Sequence, residues 1–107
     1  MNPSDFGLAT PQEIALELGA RLRSNRLQQS LAQVELAARA SVSPSAVKTL
    51  EATGKSTIET LVRVAGALGL QADFAQLFSA RAVHSLADLE RTERGQTRQR
   101  APRRRRA

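Results

Sequence analysis

The side chains that most often carry acid–base catalysis or bind metal ions are scarce in this sequence. It contains one histidine, His84, and no cysteine, which excludes disulfides, thiolate chemistry and Cys-based zinc sites. Asp88 and Glu90 lie near His84, but this grouping is more typical of a surface cluster than of an acid–base pair. No glycine-rich phosphate loop follows a predicted strand. We therefore expect no enzyme, no metal and no cofactor.

Charged side chains are divided unevenly along the chain. In residues 1–80, seven Lys and Arg balance seven acidic side chains, whereas residues 81–107 hold nine Arg and three acids and so carry the whole net charge of +6. Three roles remain open for this arginine-rich tail: nonspecific phosphate binding, docking on an acidic groove of a partner protein, or a solubilising extension. Its cationic end consists of Arg98, Arg100, Arg103, Arg104, Arg105 and Arg106.

Length and composition favour one small helical domain with a tail. The chain has 107 residues, of which 41% are apolar, with three Phe and neither Trp nor Tyr. Its core must therefore be built from Leu, Val, Ile and Ala, which suits packed helices. No apolar run approaches the ~20 residues that span a bilayer, and the N-terminus shows no secretory signal. We expect a cytoplasmic protein without membrane contact.

Helical periodicity begins after a loose start. Residues 1–12 contain two prolines and a glycine without a period, and we expect them to form a flexible leader. Apolar residues then recur every four positions, which predicts an amphipathic helix from Glu13 to about residues 28–30. A second helix is predicted over residues 33–39.

Capping residues set the bounds of two further helices. Ser43 followed by Pro44 predicts the N-cap and first turn of a third helix, ending near Ala52. Thr57 predicts the N-cap of a fourth helix, and Gly69 predicts its end. The expected apolar face of the fourth helix consists of Ile58, Leu61, Val64, Ala65 and Leu68.

A short fifth helix is predicted from Asp73 to Phe78. It would present Phe74, Leu77 and Phe78, and a domain this small has few other places to use two Phe. We expect these three residues to form a dimer contact, with an ordinary core role as the alternative.

The apolar pattern fades towards the C-terminus. Beyond Gly95 no apolar side chain is larger than Ala, so residues 81–107 are expected to be mostly disordered. The predicted fold class is all-α, with four to five helices packed as one domain over residues 13–80.

The order of the predicted helices is that of a helix-turn-helix, in which the second helix of a closely joined pair fits the major groove of DNA. Five stretches fall at a known spacing: LGARLR at 18–23, AQVELA at 32–37, VSPSAV at 42–47, LE at 50–51 and TLVRVAGALGL at 60–70. On these stretches, residues 18–70 resemble the DNA-binding domain of the phage-repressor family, the Xre or Cro/CI type. The resemblance implies a lambda-repressor-like fold and a homodimer on an inverted-repeat DNA operator.

The resemblance also implies which residues meet DNA. The residues that would read base edges are Ser43, Pro44, Ser45, Lys48 and Thr49. Lys48 could donate to guanine O6 or N7, and Ser45 or Thr49 could contact a thymine methyl group or a base edge. Gln33 and Lys55 would contact phosphates, which positions the protein without reading sequence. The alternative is a solvated helix face without function.

An internal ion pair is implied as well. In this family an arginine in the last turn of the first helix pairs with a glutamate at the end of the reading helix, and Arg26 and Glu51 occupy those positions. If the pair is partly buried, it would fix the angle between the two helices. If both side chains are exposed, it would contribute almost nothing.

Three positions depart from the family pattern. Ala32 replaces the usual Ser or Thr cap of the second helix, at a cost of ~1 kcal/mol. Ser41 occupies a turn position that is usually Gly, where a positive φ would strain it modestly. The glycine expected two residues after Glu51 is displaced to Gly54, which leaves the loop over residues 52–56 undetermined.

A second resemblance concerns a protein partner. Residues 57–77, followed by the arginine-rich tail, resemble the small HipB-like repressor-antitoxins that are encoded beside kinase-like toxins of the HipA type. It implies an antitoxin that also represses its own promoter on the nucleoid. Two alternatives remain open: a free-standing or phage-type regulator without a toxin, and a helical protein-interaction module.

Overall fold

Four α-helices make up most of residues 3–80, the part of the chain that this computed structural model describes. They are α1 (Pro11–Gln28), α2 (Gln33–Ala40), α3 (Pro44–Thr53) and α4 (Ile58–Ala67), and two 3-10 helices cover Pro3–Leu8 and Gln71–Gln76. Within these residues there is no strand, and the predicted all-α class is confirmed. The chain divides into a unit ending at Leu77 and a second unit beginning at Phe78.

Helix α1 begins at Pro11, two residues before its predicted start. Thr10 Oγ1 accepts a hydrogen bond from the Glu13 N–H at 3.1 Å, and Glu13 Oε1 accepts one from the Thr10 N–H at 2.8 Å. This reciprocal capping box fixes the start of α1. Part of the segment interpreted as a leader therefore belongs to the helix, and Pro3–Leu8 form a 3-10 helix of their own.

The predicted caps of α3 and α4 are confirmed. Ser43 Oγ accepts from the Ala46 N–H at 3.0 Å, and Thr57 Oγ1 accepts from the Thr60 N–H at 3.1 Å. Gly69 follows the end of α4 with φ +81°, a conformation that glycine adopts without strain.

The start of α2 lacks a side-chain cap, and the turn after α2 contains a residue with positive φ. Ala32 has no side-chain acceptor, although Glu35 Oε1 accepts from the Ala32 N–H at 2.9 Å. Ser41 ends α2 with φ 58°, in the left-handed region that costs a non-glycine residue about 1 kcal/mol. The missing side-chain cap at Ala32 and the positive φ at Ser41 are therefore both as the sequence predicts.

The core lies where α2 and α3 pack together, with α1 in contact with α3 and α4 in contact with α2. Its buried members are Leu22, Leu31, Leu36, Ala37, Ala40, Val47, Leu50, Val64, Ala65 and Leu68. Ile58 was predicted to join this face, and that prediction is wrong, since the side chain is 80% exposed. It lies in the first turn of α4, where the neighbouring Ser56 and Thr57 are exposed as well.

Helices α1 and α3 approach closely at two glycines. A Cβ on Gly19 would collide with the Leu50 carbonyl oxygen of α3, and a Cβ on Gly54 would collide with the Ala15 carbonyl of α1. Gly54 also ends α3 with φ +79°. The displaced glycine thus has a defined position, and it determines how α3 lies against α1.

The fifth helix differs from its prediction. It is a 3-10 helix over Gln71–Gln76, and Phe74 within it packs partly buried against the core. Leu77 is extended and half exposed. Phe78 has φ 57° and is 95% exposed, so it lies outside the helix that was expected to contain it.

Candidate nucleic-acid interface

Helix α3 has one buried face and one exposed face. Val47 and Leu50 are almost completely buried, which anchors the helix in the core. Ser45, Lys48 and Thr49 are exposed, and their spacing of three and four residues places them side by side on the opposite face. The sequence predicted these residues as base-reading, and α3 holds them together on one surface.

A groove lined mainly by serine and threonine residues adjoins this surface. It has a volume of about 340 Å³ and lies between the start of α3 and the loop that leads into α4. Its lining consists of Ser43, Ser45, Ala46, Thr49, Lys55, Ser56, Thr57 and Thr60. Lys48 stays outside the groove on the exposed face of α3.

Four groove residues were not predicted as site residues: Ala46, in the first turn of α3, and three hydroxyl residues. Ser56, Thr57 and Thr60 belong to the loop and the first turn of α4. The predicted cap at Thr57 marks where α4 begins, but only the packing of α4 beside α3 brings its first turn to the groove. A run of hydroxyl residues ahead of a predicted helix was the one available signal.

The groove suits a negatively charged, hydrogen-bonding partner. No acidic side chain is among its lining residues, and Lys55 contributes a cation. Serine and threonine hydroxyls both donate and accept hydrogen bonds. The positive ends of the α3 and α4 dipoles lie at the same place, which also favours an anion.

Arg26 and Glu51 form a buried, bidentate ion pair between α1 and α3. Arg26 Nε donates to Glu51 Oε2 at 2.7 Å, and Arg26 Nη2 donates to Glu51 Oε1 at 2.9 Å. The residues are 7% and 6% exposed. Arg26 Nη1 also donates to the Leu31 carbonyl oxygen at 2.8 Å, which ties down the loop before α2. This is the ion pair implied by the resemblance, in its buried form.

The pair stays ionised because its hydrogen bonds outweigh burial. Burial alone would raise the pKa of Glu51, but hydrogen bonds from Arg26 and Gln33 lower it below its ordinary value. The same hydrogen bonding to Glu51 raises the pKa of Arg26. Both groups therefore carry full charge at neutral pH, and α3 is held to α1 by a charge-assisted contact.

The two residues predicted to contact phosphates are placed differently. Lys55 lines the groove, and its backbone N–H donates to Thr53 Oγ1 at 3.1 Å. Gln33 is half-buried at the start of α2, and its Nε2 donates to Glu51 Oε1 at 3.0 Å. The sequence did not predict this contact, because nothing in the spacing links Gln33 to the ion pair.

Residues 3–80 hold no group of three or more His, Cys, Asp or Glu that could bind a metal ion. No helix in that part of the chain is long and apolar enough to cross a membrane. His84, Asp88 and Glu90 lie outside the described residues. The same is true of every arginine named for the cationic end of the tail.

Part of the described chain matches a known protein family. Residues 22–74 match the family model described as Helix-turn-helix. The matched segment begins within α1, contains α2, α3 and α4, and ends at Phe74. A search of curated proteins finds no match to the chain.

Proposed function

We propose that this chain, which contains a helix-turn-helix domain of the Xre or Cro/CI type, is a sequence-specific DNA-binding regulator of transcription. One observation carries the proposal. Buried Val47 and Leu50 anchor helix α3 in the core. Ser45, Lys48 and Thr49 are exposed together on the opposite face of the helix. A helix held in this way can enter the major groove without deforming the core.

Each part of the surface then has a role in binding. Lys48 donates to guanine O6 or N7, while Ser45 and Thr49 contact neighbouring base edges or a thymine methyl group. Lys55 and the groove hydroxyl of Thr57 contact phosphates. Base contacts supply the sequence preference, and phosphate contacts set the register and supply much of the affinity.

The competing function is a helical protein-interaction module. The absence of net charge in residues 1–80 is consistent with it, since a basic field over the whole domain would favour nucleic acid more strongly. Selecting bound DNA from a random pool separates the two functions. A regulator enriches one short sequence, whereas an interaction module enriches none.

The Lys48→Ala, Thr49→Ala double variant tests the base-reading surface. Because a base contact contributes about 1–3 kcal/mol of discrimination, we expect affinity for the selected sequence to fall at least about tenfold. Binding to unrelated DNA should change far less. The matched control is Arg63→Ala, which also removes one exposed cation but lies outside the groove. Equal losses of affinity for the selected sequence and for unrelated DNA would contradict a base-reading role.

We also propose that the regulator binds as a homodimer on an inverted repeat. Two-fold proteins read two half-sites about one helical turn apart. The dimer contact expected at Phe74, Leu77 and Phe78 stays a prediction, supported by the exposure of Leu77 and Phe78. Phe78→Asp followed by mass measurement in solution tests it, and a dimer that survives the substitution would exclude Phe78.

The direction of regulation and the toxin partner are further proposals from the sequence. We propose a repressor acting on the nucleoid, and an antitoxin role supported by the resemblance of residues 57–77 and the arginine-rich tail to HipB-like proteins. A kinase-like toxin gene beside this one, with co-purification of both products, would support that role. Repression of the chain's own promoter in the absence of such a neighbour would favour the free-standing regulator.

A further inference from the structure

The buried ion pair has a third partner. Besides two hydrogen bonds from Arg26, the Glu51 carboxylate accepts one from Gln33 Nε2 at 3.0 Å. Gln33 is the first residue of α2, and Glu51 lies in the second half of α3. The contact therefore joins the start of α2 to the proposed reading helix.

An ionised carboxylate determines which way the glutamine amide is turned. The amide has two N–H hydrogens and one carbonyl oxygen, whereas the carboxylate only accepts. The nitrogen must therefore face Glu51, and the flipped amide would place two oxygens against each other. Since the two hydrogens diverge from the nitrogen, donating one to Glu51 directs the other away from the buried carboxylate.

We propose that Glu51 is a positioning residue for DNA binding, which holds the Gln33 amide in one orientation and so presets an N–H donor for a phosphate oxygen. The inference rests on the proposed DNA-binding function. A glutamine that is already ordered loses less side-chain entropy on binding than a mobile one.

The contact also links the phosphate-binding and base-reading elements. Glu51 is anchored by Arg26 of α1 and belongs to α3, so its position is fixed relative to Lys48 and Thr49 on the same helix. A phosphate held by Gln33 is thereby held at a set distance from the base-reading face. Glu51 acts through Gln33 and is itself too buried to touch DNA.

A double-mutant cycle tests this coupling in the full chain. Arg26→Met with Glu51→Met removes the acceptor of Gln33 without leaving a buried charge unpaired. Gln33→Ala is then made in the wild type and in this background, and affinity is measured for the DNA selected by the wild type. We expect Gln33→Ala to cost about tenfold in the wild type and less than about threefold in the double variant.

The outcomes separate the inference from the function on which it rests. If Gln33→Ala lowers DNA affinity equally in both backgrounds, or does not lower it in the wild type, the positioning role of Glu51 is wrong. Specific DNA binding by the wild type would still support the proposed regulator in either case. A wild type that selects no DNA sequence would overturn the proposed function itself.

A second measurement needs no variant that could fail to fold. In the free wild-type chain, side-chain amide relaxation by NMR should show Gln33 restricted on the picosecond to nanosecond timescale. Gln12, which is exposed at the start of α1, is the matched control and should be mobile. Equal mobility of the two amides would show that Glu51 does not preset Gln33.

Discussion

At the scale of single residues, Arg26 and Glu51 determine how α3 is held. Their two hydrogen bonds lie where almost no water reaches them, and Arg26 also satisfies the carbonyl of Leu31. No buried side-chain nitrogen or oxygen in the described part of the chain lacks a partner. Removing one member would break this arrangement, because the other charge would remain buried without its counterion.

Loss of one member of the pair should therefore be severe. We expect Glu51→Ala to lower the free energy of unfolding by about 3–5 kcal/mol, measured by urea denaturation. The control is Glu59→Ala, which breaks the exposed Glu59–Arg63 pair, and it should cost well under about 1 kcal/mol. Similar costs for both variants would mean that burial of the Arg26–Glu51 pair does not matter for stability.

The same pair should make stability depend on acid pH. Because the pKa of Glu51 is lower in the folded state, its contribution is fully present above its ordinary value of 4.5 and is lost as pH falls through the folded pKa. We expect the unfolding free energy of the wild type to decline more steeply below pH 4.5 than that of the Arg26→Met, Glu51→Met variant. The lowered pKa of Glu17, caused chiefly by its hydrogen bond with Arg21, affects both proteins alike. Parallel pH profiles would contradict the role of Glu51.

At the scale of elements, close approach of backbones sets the position of α3 against α1. A Cβ at Gly19 would collide with the carbonyl oxygen of Leu50. Because this oxygen belongs to the backbone of α3, it cannot move aside unless the helix itself moves. We expect Gly19→Ala to destabilise the fold by about 1–3 kcal/mol, although Ala is the better helix former. Gly66→Ala is the matched control within α4, because a Cβ there has open space and should gain up to about 1 kcal/mol. Stabilisation by both substitutions would show that the packing of α1 against α3 does not require a glycine at position 19.

Helix α2 can be improved at its start. Ala32 already has the backbone angles of an N-cap, with φ −77° and ψ 158°, and Glu35 supplies half of a capping box. We expect Ala32→Ser to raise the free energy of unfolding by about 1 kcal/mol by adding the missing acceptor. Thr57→Ala, which removes the corresponding acceptor from α4, should lower it by a similar amount. Thermal or urea unfolding measures both, and a neutral Ala32→Ser would mean that water already satisfies this helix end.

The elements that the sequence predicts well are those decided by local chemistry. Ser43 and Thr57 are caps because their hydroxyls meet backbone N–H groups three residues away, and such contacts depend on no distant residue. Ile58 was placed wrongly because apolar periodicity does not show where a neighbouring helix stops. The fit of Gly19 against Leu50 was not predicted because it arises only when α1 and α3 are packed.

The candidate site divides in the same way. The exposed positions of Lys48 and Thr49 follow from their spacing relative to buried Val47 and Leu50, so they can be predicted from the sequence alone. The ion pair was predicted only through a resemblance, since 25 positions separate Arg26 from Glu51. The contact of Gln33 with Glu51 crosses 18 positions and has no signal in spacing or composition.

At the scale of the whole molecule, charge and fold are separated along the chain. Residues 1–80 are neutral overall, so the DNA contacts proposed for Lys48 and Lys55 would act through the local positions of these residues rather than through a broad positive field. The arginine-rich tail carries the entire excess of positive charge. Of its three open roles, phosphate binding is the one that predicts how strongly DNA affinity depends on salt concentration.

Truncation after Gly95 tests that role. Each phosphate neutralised on duplex DNA adds about 0.9 to the slope of log K against log salt concentration. If the six arginines beyond Gly95 bind phosphates, the truncated chain should show a shallower slope and weaker binding to all DNA sequences. The matched control keeps the length and replaces these arginines with Gln, and it should reproduce the shallower slope. An unchanged slope would exclude phosphate binding and leave the tail to a partner protein or to solubility.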